Sequence, residues 1–169
     1  MRAPAGCNGK RRGRNPVGWL KGGSRERTMS ASPDCVFCRI VSGNIPSYEI
    51  WRDEWTLAFL DIGPLAPGHL LVIPQAHYAT MDEVPDEVAQ ALGVVLPRMT
   101  RAVLRATQAP GVNLLQNNGR CAGQEVEHVH IHLIPRTEGD GLGYRWHPQE
   151  YAAGKAEAMR DQLGRALKV

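Results

Sequence analysis

The sequence is poor in long apolar runs and in cysteine. No stretch of about 18 consecutive apolar residues occurs, so no segment is predicted to span a membrane as a helix. The apolar run at 17–20 near the N-terminus is too short for the core of a signal peptide. The chain has four cysteines, and without an export signal we do not expect structural disulfides. These absences argue against membrane-spanning and disulfide-rich secreted classes and favour a cytoplasmic protein.

Positive charge is concentrated at the N-terminus. Residues 1–28 hold eight Lys or Arg and one Glu, a charge of +7, and because the whole chain carries +3 the remainder carries −4. Residues 1–29 are rich in Gly, Arg and Pro and lack apolar periodicity, so we predict a basic, disordered N-terminal extension. A transit peptide and an upstream extension before a true start at Met29 are two other interpretations. Since the folded body is mildly acidic, we expect no nucleic-acid binding from it.

Apolar periodicity predicts an α+β domain. Apolar stretches bounded by Gly, Pro or charged turns predict five strands, at 48–53, 55–62, 69–74, 112–116 and 127–135. We also predict a helical turn at 35–43, a long helix from Pro85 with a kink at Pro97, and a second amphipathic helix at 149–167. The expected buried positions of the long helix are Val88, Leu92, Val95, Met99, Ala102 and Ala106. This order favours helices packed on an antiparallel sheet.

Residues 127–135, EHVHIHLIP, place an imidazole at every second position. In a strand, His128, His130 and His132 would share one face and the apolar residues between them the other. Such a face could be a metal site with three histidine ligands. It could also hold a nucleophilic histidine flanked by groups that bind phosphate, because a neutral imidazole is nucleophilic near pH 7. The third interpretation is a solvated strand that has no site.

Cys35 and Cys38 form a C-x-x-C pair near the start of the predicted fold. This spacing is typical of half a metal site or of a redox motif. No βαβ pattern of the thioredoxin type follows the pair, which makes a redox role the weaker interpretation. Two reduced, buried cysteines without a metal are the remaining alternative.

Five motifs together resemble the bacterial branch of the histidine triad (HIT) family. They are C-x-x-C, F-L-D-I, G-H-x-L-V-I-P, G-Q-x-x-x-H and H-x-H-x-H, present here as CVFC, FLDI, GHLLVIP, GQEVEH and HVHIH. The resemblance covers residues 34–136, which would form the HIT domain. Residues 137–169 would then be a C-terminal loop and helix packed on that domain. The resemblance implies a five-stranded antiparallel sheet with a long central helix and a C-terminal helix.

The resemblance also implies an enzyme that attacks the α-phosphate of a nucleoside monophosphate derivative. His130 would be the nucleophile that forms a nucleotidyl-histidine intermediate, with its other ring nitrogen held by a backbone carbonyl. His132 would contact the phosphate. We expect a purine nucleoside phosphoramidate or an adenylate as the substrate. A dinucleoside polyphosphate such as diadenosine tetraphosphate is the alternative substrate. A non-catalytic nucleotide-binding scaffold is the alternative class of protein.

Further site residues follow from the same resemblance. Asp61 would hold the ribose hydroxyls. Gln124 would act on the leaving group. The phosphate loop would also use Asn117 and Gly123, while the base would bind between Phe37, Ile40, Phe59 and Ile62. These four apolar residues could equally be ordinary core. The family often has Ser or Thr after the glutamine, and Glu125 at that position puts assistance by a hydroxyl group in doubt.

The resemblance assigns a structural zinc ion to the C-x-x-C pair. Cys35 and Cys38 would supply two ligands, and His77 and His128 would complete a tetrahedral site. His69 would support the triad by contacting it on the side away from the substrate. No catalytic metal is expected. Relatives are usually homodimers joined edge to edge through their sheets, so a homodimer and a nucleotide substrate are the expected partners.

Overall fold

The computed structural model describes residues 31–143 and 150–167. The predicted N-terminal extension at 1–29 therefore lies outside the described residues. The elements in chain order are α1 (Val36–Val41), β1 (Glu49–Arg52), β2 (Thr56–Leu60), β3 (Leu70–Pro74), α2 (Asp86–Thr107), β4 (Gly111–Leu115), β5 (Ile131–Arg136) and α3 (Lys155–Ala166), with two short 3₁₀ turns at Met81–Glu83 and Arg120–Ala122.

The strands form one five-stranded sheet in the order β1-β2-β3-β5-β4. Every neighbouring pair is antiparallel. This confirms the predicted α+β class and antiparallel sheet. Asp53 closes the first hairpin, because its Oδ1 accepts hydrogen bonds from the backbone N–H groups of Trp55 and Thr56 at 2.8 and 2.7 Å. Such a side-chain turn explains why the charged residues between the two predicted strands favour a hairpin.

Helix α2 covers one face of the sheet. Its N-cap is Pro85, and the helix continues through Pro97. The buried residues of this helix are Val88, Leu92, Val95, Met99 and Val103. The predicted face was right as far as Met99 and wrong after it, because a further step of four residues brings Val103 onto the face and leaves Ala102 and Ala106 exposed.

Helix α1 covers the opposite face of the sheet. Phe37 and Ile40 pack with residues of β2 and β3, which include Phe59 and Leu71. Ala58 and Val72 of the same two strands face α2 instead. The alternation of side chains along these strands thus divides the core into two layers. The histidine site lies on the α1 side.

The strand predicted at 127–135 begins four residues later than expected, at Ile131. His128 and His130 precede the strand, and only His132 belongs to it. The neighbouring strand β3 ends at Pro74, which has no N–H to donate to a ladder. The N–H of Val129 bonds instead to the carbonyl of Tyr78 at 2.8 Å. The histidines nevertheless stay on one side, because the ring of Phe37 contacts the rings of both His128 and His130.

Helix α3 begins at Lys155, later than the predicted start near 149. It has no buried residue, and the side chains of Met159 and Leu163 are exposed. The expected packing of this helix on the domain is therefore not seen among the described residues. No helix in the described part of the chain is long and apolar enough to cross a membrane.

Candidate active site and metal centre

Two cysteines and two histidines converge between α1, the loop after β3 and the segment before β5. One ligand atom from each of Cys35, Cys38, His77 and His128 lies within 4.8 Å of all the others. Both cysteines and His128 are buried, and His77 is half-buried. The structure thus brings together all four residues of the predicted metal set.

The distances in this cluster fit a tetrahedral zinc ion. The Nδ1 atoms of His77 and His128 are 3.3 Å apart. The Sγ atom of Cys38 lies 3.4 Å from Nδ1 of His77, and that of Cys35 lies 3.5 Å from Nδ1 of His128. Tetrahedral bonds of about 2.0 Å to nitrogen and about 2.3 Å to sulfur give separations of about 3.3 Å for two nitrogens and about 3.5 Å for nitrogen and sulfur. Two thiolates and two imidazoles are also a donor set that zinc prefers.

The protonation of His128 suits a metal ligand. Its Nε2 lies 2.9 Å from the carbonyl oxygen of Pro74, and since a carbonyl only accepts, Nε2 carries the proton. Its Nδ1 therefore presents a lone pair to the thiols, as a ligating histidine with a fixed tautomer does. Burial lowers the pKa of His128 to about 4, which keeps the ring neutral at neutral pH.

An open cleft of about 660 Å³ lies beside this cluster. Its size is typical of small-molecule sites. Nine of the predicted site residues line it: Phe37, Ile40, Phe59, Asp61, Ile62, Asn117, Gly123, His130 and His132. The metal set and Gln124 are not among the lining residues. The three histidines of the run are thus divided between a closed cluster and an open cleft.

The predicted base pocket combines core and surface residues. Phe37 and Phe59, the only two phenylalanines of the chain, pack edge to face with ring centroids 5.8 Å apart. These two residues and Ile40 are buried in the core layer under α1, so they are both core and cleft wall. Ile62 is fully exposed at the cleft. An apolar wall of this kind can contact the face of a base without hydrogen bonds.

His130 has its proton fixed by the main chain. Its Nδ1 lies 2.6 Å from the carbonyl oxygen of His128, so Nδ1 is the donor. A neutral ring then has an unprotonated Nε2. Since His130 lines the cleft, this lone pair is the nitrogen available to attack a ligand.

His132 has the opposite tautomer because of a relay through His69. The backbone N–H of Leu65 donates to Nδ1 of His69 at 3.1 Å, so the proton of neutral His69 is on Nε2. That Nε2–H donates to Nδ1 of His132 at 2.9 Å. The remaining proton of neutral His132 is then on Nε2, as a hydrogen-bond donor for the cleft. Burial, followed by the neighbouring His130 and His69, lowers the pKa of His132 to about 4.

Asp61 lies at the edge of this relay. Its Oδ1 accepts a hydrogen bond from the backbone N–H of Gly63 at 2.8 Å. Its Oδ2 lies 3.6 Å from Nε2 of His69 and 3.9 Å from Nδ1 of His132. Burial lowers the pKa of His69, and the charge of Asp61 opposes that shift. The carboxylate thus lies close to both histidines. It also lines the cleft, where it could accept hydrogen bonds from hydroxyl groups.

The side-chain amide of Gln124 is fully hydrogen-bonded to backbone groups. Its Oε1 accepts from the N–H of Gly119 at 2.6 Å, and its Nε2 donates to the carbonyls of Ala79 and Val126 at 2.7 and 2.9 Å. With both amide protons used and only 4% of the residue exposed, the side chain has no donor left for a leaving group. In the structure the Gln124 amide therefore positions its loop, and the catalytic role expected for this residue stays a prediction.

Some functional groups were not found from the sequence. The backbone N–H of Leu65, which sets the tautomers of His69 and His132, has no residue-type signature. Tyr48 and Leu65 line the cleft although both are exposed. Large apolar residues beside Pro- and Gly-rich loops were the only available signal for them.

Comparisons with known proteins identify a family. A HIT domain family model matches residues 42–139. The protein named adenosine 5'-monophosphoramidase HNT1 from Saccharomyces cerevisiae is 41% identical over 141 residues, which cover 83% of this chain and 85% of that protein. A HIT family crystal structure from Bacillus subtilis is 38% identical, with a TM-score of 0.75, and the match covers 78% of this chain and 96% of that one.

A further solved structure is described as a zinc-bound histidine triad family protein from Mycobacterium smegmatis. It is 39% identical with a TM-score of 0.62, and the match covers 79% of this chain and 97% of that one. The motif order, the antiparallel sheet and the family match over 42–139 lead to one conclusion: the chain belongs to the HIT domain family.

Proposed function

We propose that this protein hydrolyses nucleoside monophosphate derivatives through a covalent nucleotidyl intermediate on His130. The general conclusion, a HIT-family nucleotide hydrolase, is supported by the family match and by the relative named as an adenosine 5'-monophosphoramidase. The observation that carries the mechanism is the hydrogen bond from His130 Nδ1 to the carbonyl of His128, because it leaves Nε2 unprotonated at the cleft. The proposed substrate is a purine nucleoside phosphoramidate or an adenylate.

The first step is attack by Nε2 of His130 on the α-phosphorus. The bond from phosphorus to the leaving nitrogen or oxygen breaks, and the leaving group takes a proton from solvent if it is an amine. The new positive charge on the His130 ring is offset by the carbonyl of His128 at Nδ1. The Nε2–H of His132 donates to a phosphate oxygen, which stabilises the charge that develops there.

The second step is hydrolysis of the intermediate. Water attacks the phosphorus, the phosphorus–Nε2 bond breaks, one proton of the water passes to solvent, and nucleoside monophosphate and neutral His130 are released. In this scheme the base lies against Phe37 and Phe59, and Asp61 accepts the ribose hydroxyls. Asn117 and Gly123 line the wall beside the phosphate. Each of these residues acts by binding or by orienting the substrate.

The test is AMP release from adenosine phosphoramidate and, in parallel, from diadenosine tetraphosphate. We expect the wild type to turn over the phosphoramidate and His130→Ala to lose at least about a thousandfold in kcat, since the nucleophile is absent. A matched control is Cys121→Ser, an exposed cysteine outside the cleft lining. Faster turnover of the tetraphosphate would favour the dinucleoside polyphosphate hydrolase. Nucleotide binding without turnover of either would favour a binding scaffold.

We assign a structural zinc ion to Cys35, Cys38, His77 and His128. The fit of the four donors to tetrahedral distances and the fixed tautomer of His128 support the assignment. Zinc there would cross-link α1 to the loop after β3 and to the segment before β5. Metal analysis of the purified protein is expected to find one zinc per chain.

We also propose a homodimer joined along a sheet edge. Strand β4 is an edge strand, and its Leu114 is exposed, which makes the edge an available interface. Light scattering after gel filtration is expected to give the mass of two chains for the wild type and a smaller average mass for Leu114→Glu. A single-chain mass for the wild type would contradict this proposal.

The proposed location is the cytoplasm. The metal cluster requires reduced thiols, and Cys35 and Cys38 are free. Such pairs persist in reducing compartments. Cell fractionation that found the protein in a membrane or exported fraction would contradict this location.

A further inference from the structure

The charged residues that line the cleft are all acidic among the described residues. Asp61 and Glu125 line it, and no Lys or Arg of the described chain does. Burial lowers the pKa values of His69 and His132, which also line the cleft, and so disfavours a positive charge on these two rings. A cleft expected to bind a phosphate therefore carries a negative field of its own.

The two carboxylates differ in their surroundings. Asp61 is half-buried, accepts from the N–H of Gly63, and lies within 3.9 Å of ring nitrogens of His69 and His132. Glu125 is exposed and has no hydrogen bond or ion pair with another described residue. Its charge is therefore available to whatever occupies the cleft next to it.

The position of Glu125 is set by the hydrogen bonds of the preceding residue, Gln124. The side-chain amide of Gln124 binds three backbone groups on both sides of the loop. Glu125 is thus held beside Gly123 and Val126, which line the same wall. In the proposed mechanism the base lies against Phe37 and Phe59, and the loop that holds Glu125 lies by the phosphate, where a leaving group would extend.

We propose that Glu125 is a specificity-determining residue that selects leaving groups bearing an ammonium group and disfavours leaving groups bearing carboxylate or phosphate. The inference depends on the proposed hydrolysis. Opposite charges attract and like charges repel across a cleft of this size, and the effect at an exposed carboxylate is moderate and weakened by salt. A chain of phosphates in the leaving group would meet Glu125, so the tetraphosphate should be the poorer substrate.

The experiment uses three adenosine 5'-phosphoramidates of similar length. Their leaving amines are 1,2-diaminoethane, propylamine and β-alanine, so that the far end of the leaving group is cationic, neutral or anionic. We would measure kcat/KM from AMP release for the wild type, Glu125→Gln and Glu125→Lys. The matched control is Glu127→Gln, because Glu127 is an exposed carboxylate two positions away that pairs with Arg120 at 3.6 Å and does not line the cleft.

The readout is the ratio of kcat/KM for the cationic over the anionic substrate. We expect a ratio well above one in the wild type, a fall of about fivefold to tenfold in Glu125→Gln, and a larger fall in Glu125→Lys. The ratio should shrink as salt is added and should not change in Glu127→Gln. An unchanged ratio in both Glu125 variants would overturn the inference. Absence of AMP release from all three substrates by the wild type would instead overturn the proposed function.

Discussion

His128 and His132, the two ends of the histidine run, have similar pKa values but lie in different surroundings. Burial lowers the pKa of both His128 and His132 to about 4. His128 is completely buried against two thiols, whereas His132 lines an open cleft. The difference comes from the groups that hold the second ring nitrogen, and these decide whether a lone pair or a proton is presented.

The three rings illustrate this rule in order. His128 donates to the carbonyl of Pro74 and presents a lone pair to the metal cluster. His130 donates to the carbonyl of His128 and presents a lone pair to the cleft. His132 accepts from His69 and presents an N–H to the cleft. The proposed ligand, nucleophile and donor would thus be one residue type in two fixed tautomers, with a different ring atom facing the site in each case.

The largest expected effect comes from replacing His128, at the buried end of the histidine run. His128→Ala removes a metal ligand and leaves the carbonyl of Pro74 and two thiols in an emptied buried site. We expect loss of the bound zinc and a fall of about 4 kcal/mol or more in the free energy of unfolding. Metal analysis and urea unfolding would measure both. Cys121→Ser, outside the cluster, should retain metal and stability.

A wild-type protein that holds no zinc and unfolds at the same urea concentration with and without a chelator would contradict that prediction. It would reduce the four residues to a set of buried, hydrogen-bonded side chains. The cleft could still be active in that case, because its lining does not include the cluster residues.

The next largest effect comes from replacing His69, which donates a hydrogen bond to His132 at the cleft. His69→Leu removes the donor to His132 and leaves the N–H of Leu65 without its acceptor. His132 would then be free to take the wrong tautomer, and we expect kcat to fall about tenfold to a hundredfold. His69→Gln, whose amide can both accept and donate, should restore part of the loss. Equal activity in His69→Leu and wild type would show that the relay is not needed.

The elements with strong local signals could be predicted from the sequence. The hairpin followed from the charged turn at Asp53, and the α2 face followed from apolar spacing as far as Met99. The resemblance implied a five-stranded antiparallel sheet but the order of its strands was not predicted, since local patterns do not specify which strands pair. The late start of β5 could not be predicted, because it depends on where β3 stops as its partner, at Pro74.

The candidate site divides in the same way. Residue types at motif positions predicted the four metal donors and nine cleft residues, and the structure places them together. The catalytic role of Gln124 stays a prediction. Its amide binds backbone groups of the folded loop, and residue type alone could not predict that arrangement. The tautomers could be only partly anticipated, since the partner of His130 was expected to be a carbonyl, but the N–H of Leu65 belongs to a loop with no motif.

A smaller effect is expected from changing Gln124, in the loop that precedes the histidine run. Gln124→Ala removes three hydrogen bonds to Gly119, Ala79 and Val126 at a site that is almost fully buried. We expect a loss of about 1–3 kcal/mol in unfolding free energy, because buried backbone groups lose their partners. Gln124→Glu keeps the acceptor for Gly119 but loses both donors, so it should also be destabilised. A large loss of kcat in Gln124→Ala with unchanged stability would restore the direct catalytic role.

The smallest effect is a pH dependence of stability that His132 contributes. Its pKa is about 4 in the folded chain and about 6.5 in an unfolded chain. Between these values the unfolded state binds a proton that the folded state does not, so the free energy of unfolding rises with pH. The contribution is complete above about pH 6.5 and is lost as the pH falls to about 4. For a ring that lines an open cleft we expect it to amount to about 1 kcal/mol.

The check is urea unfolding of wild type and His132→Asn at pH 7 and pH 4.5. His128 is also destabilised by acid, both through its own low pKa and through release of a bound metal, but that loss is common to the two proteins. The wild type should therefore lose about 1 kcal/mol more than the variant between the two pH values. An equal loss in both would mean that His132 has the same pKa in the folded and the unfolded chain. A smaller loss in the wild type than in the variant would mean that folding raises its pKa. In that second case His132 would act on the phosphate as a cation, and the two ends of the run would differ in charge as well as in the ring atom that faces the site.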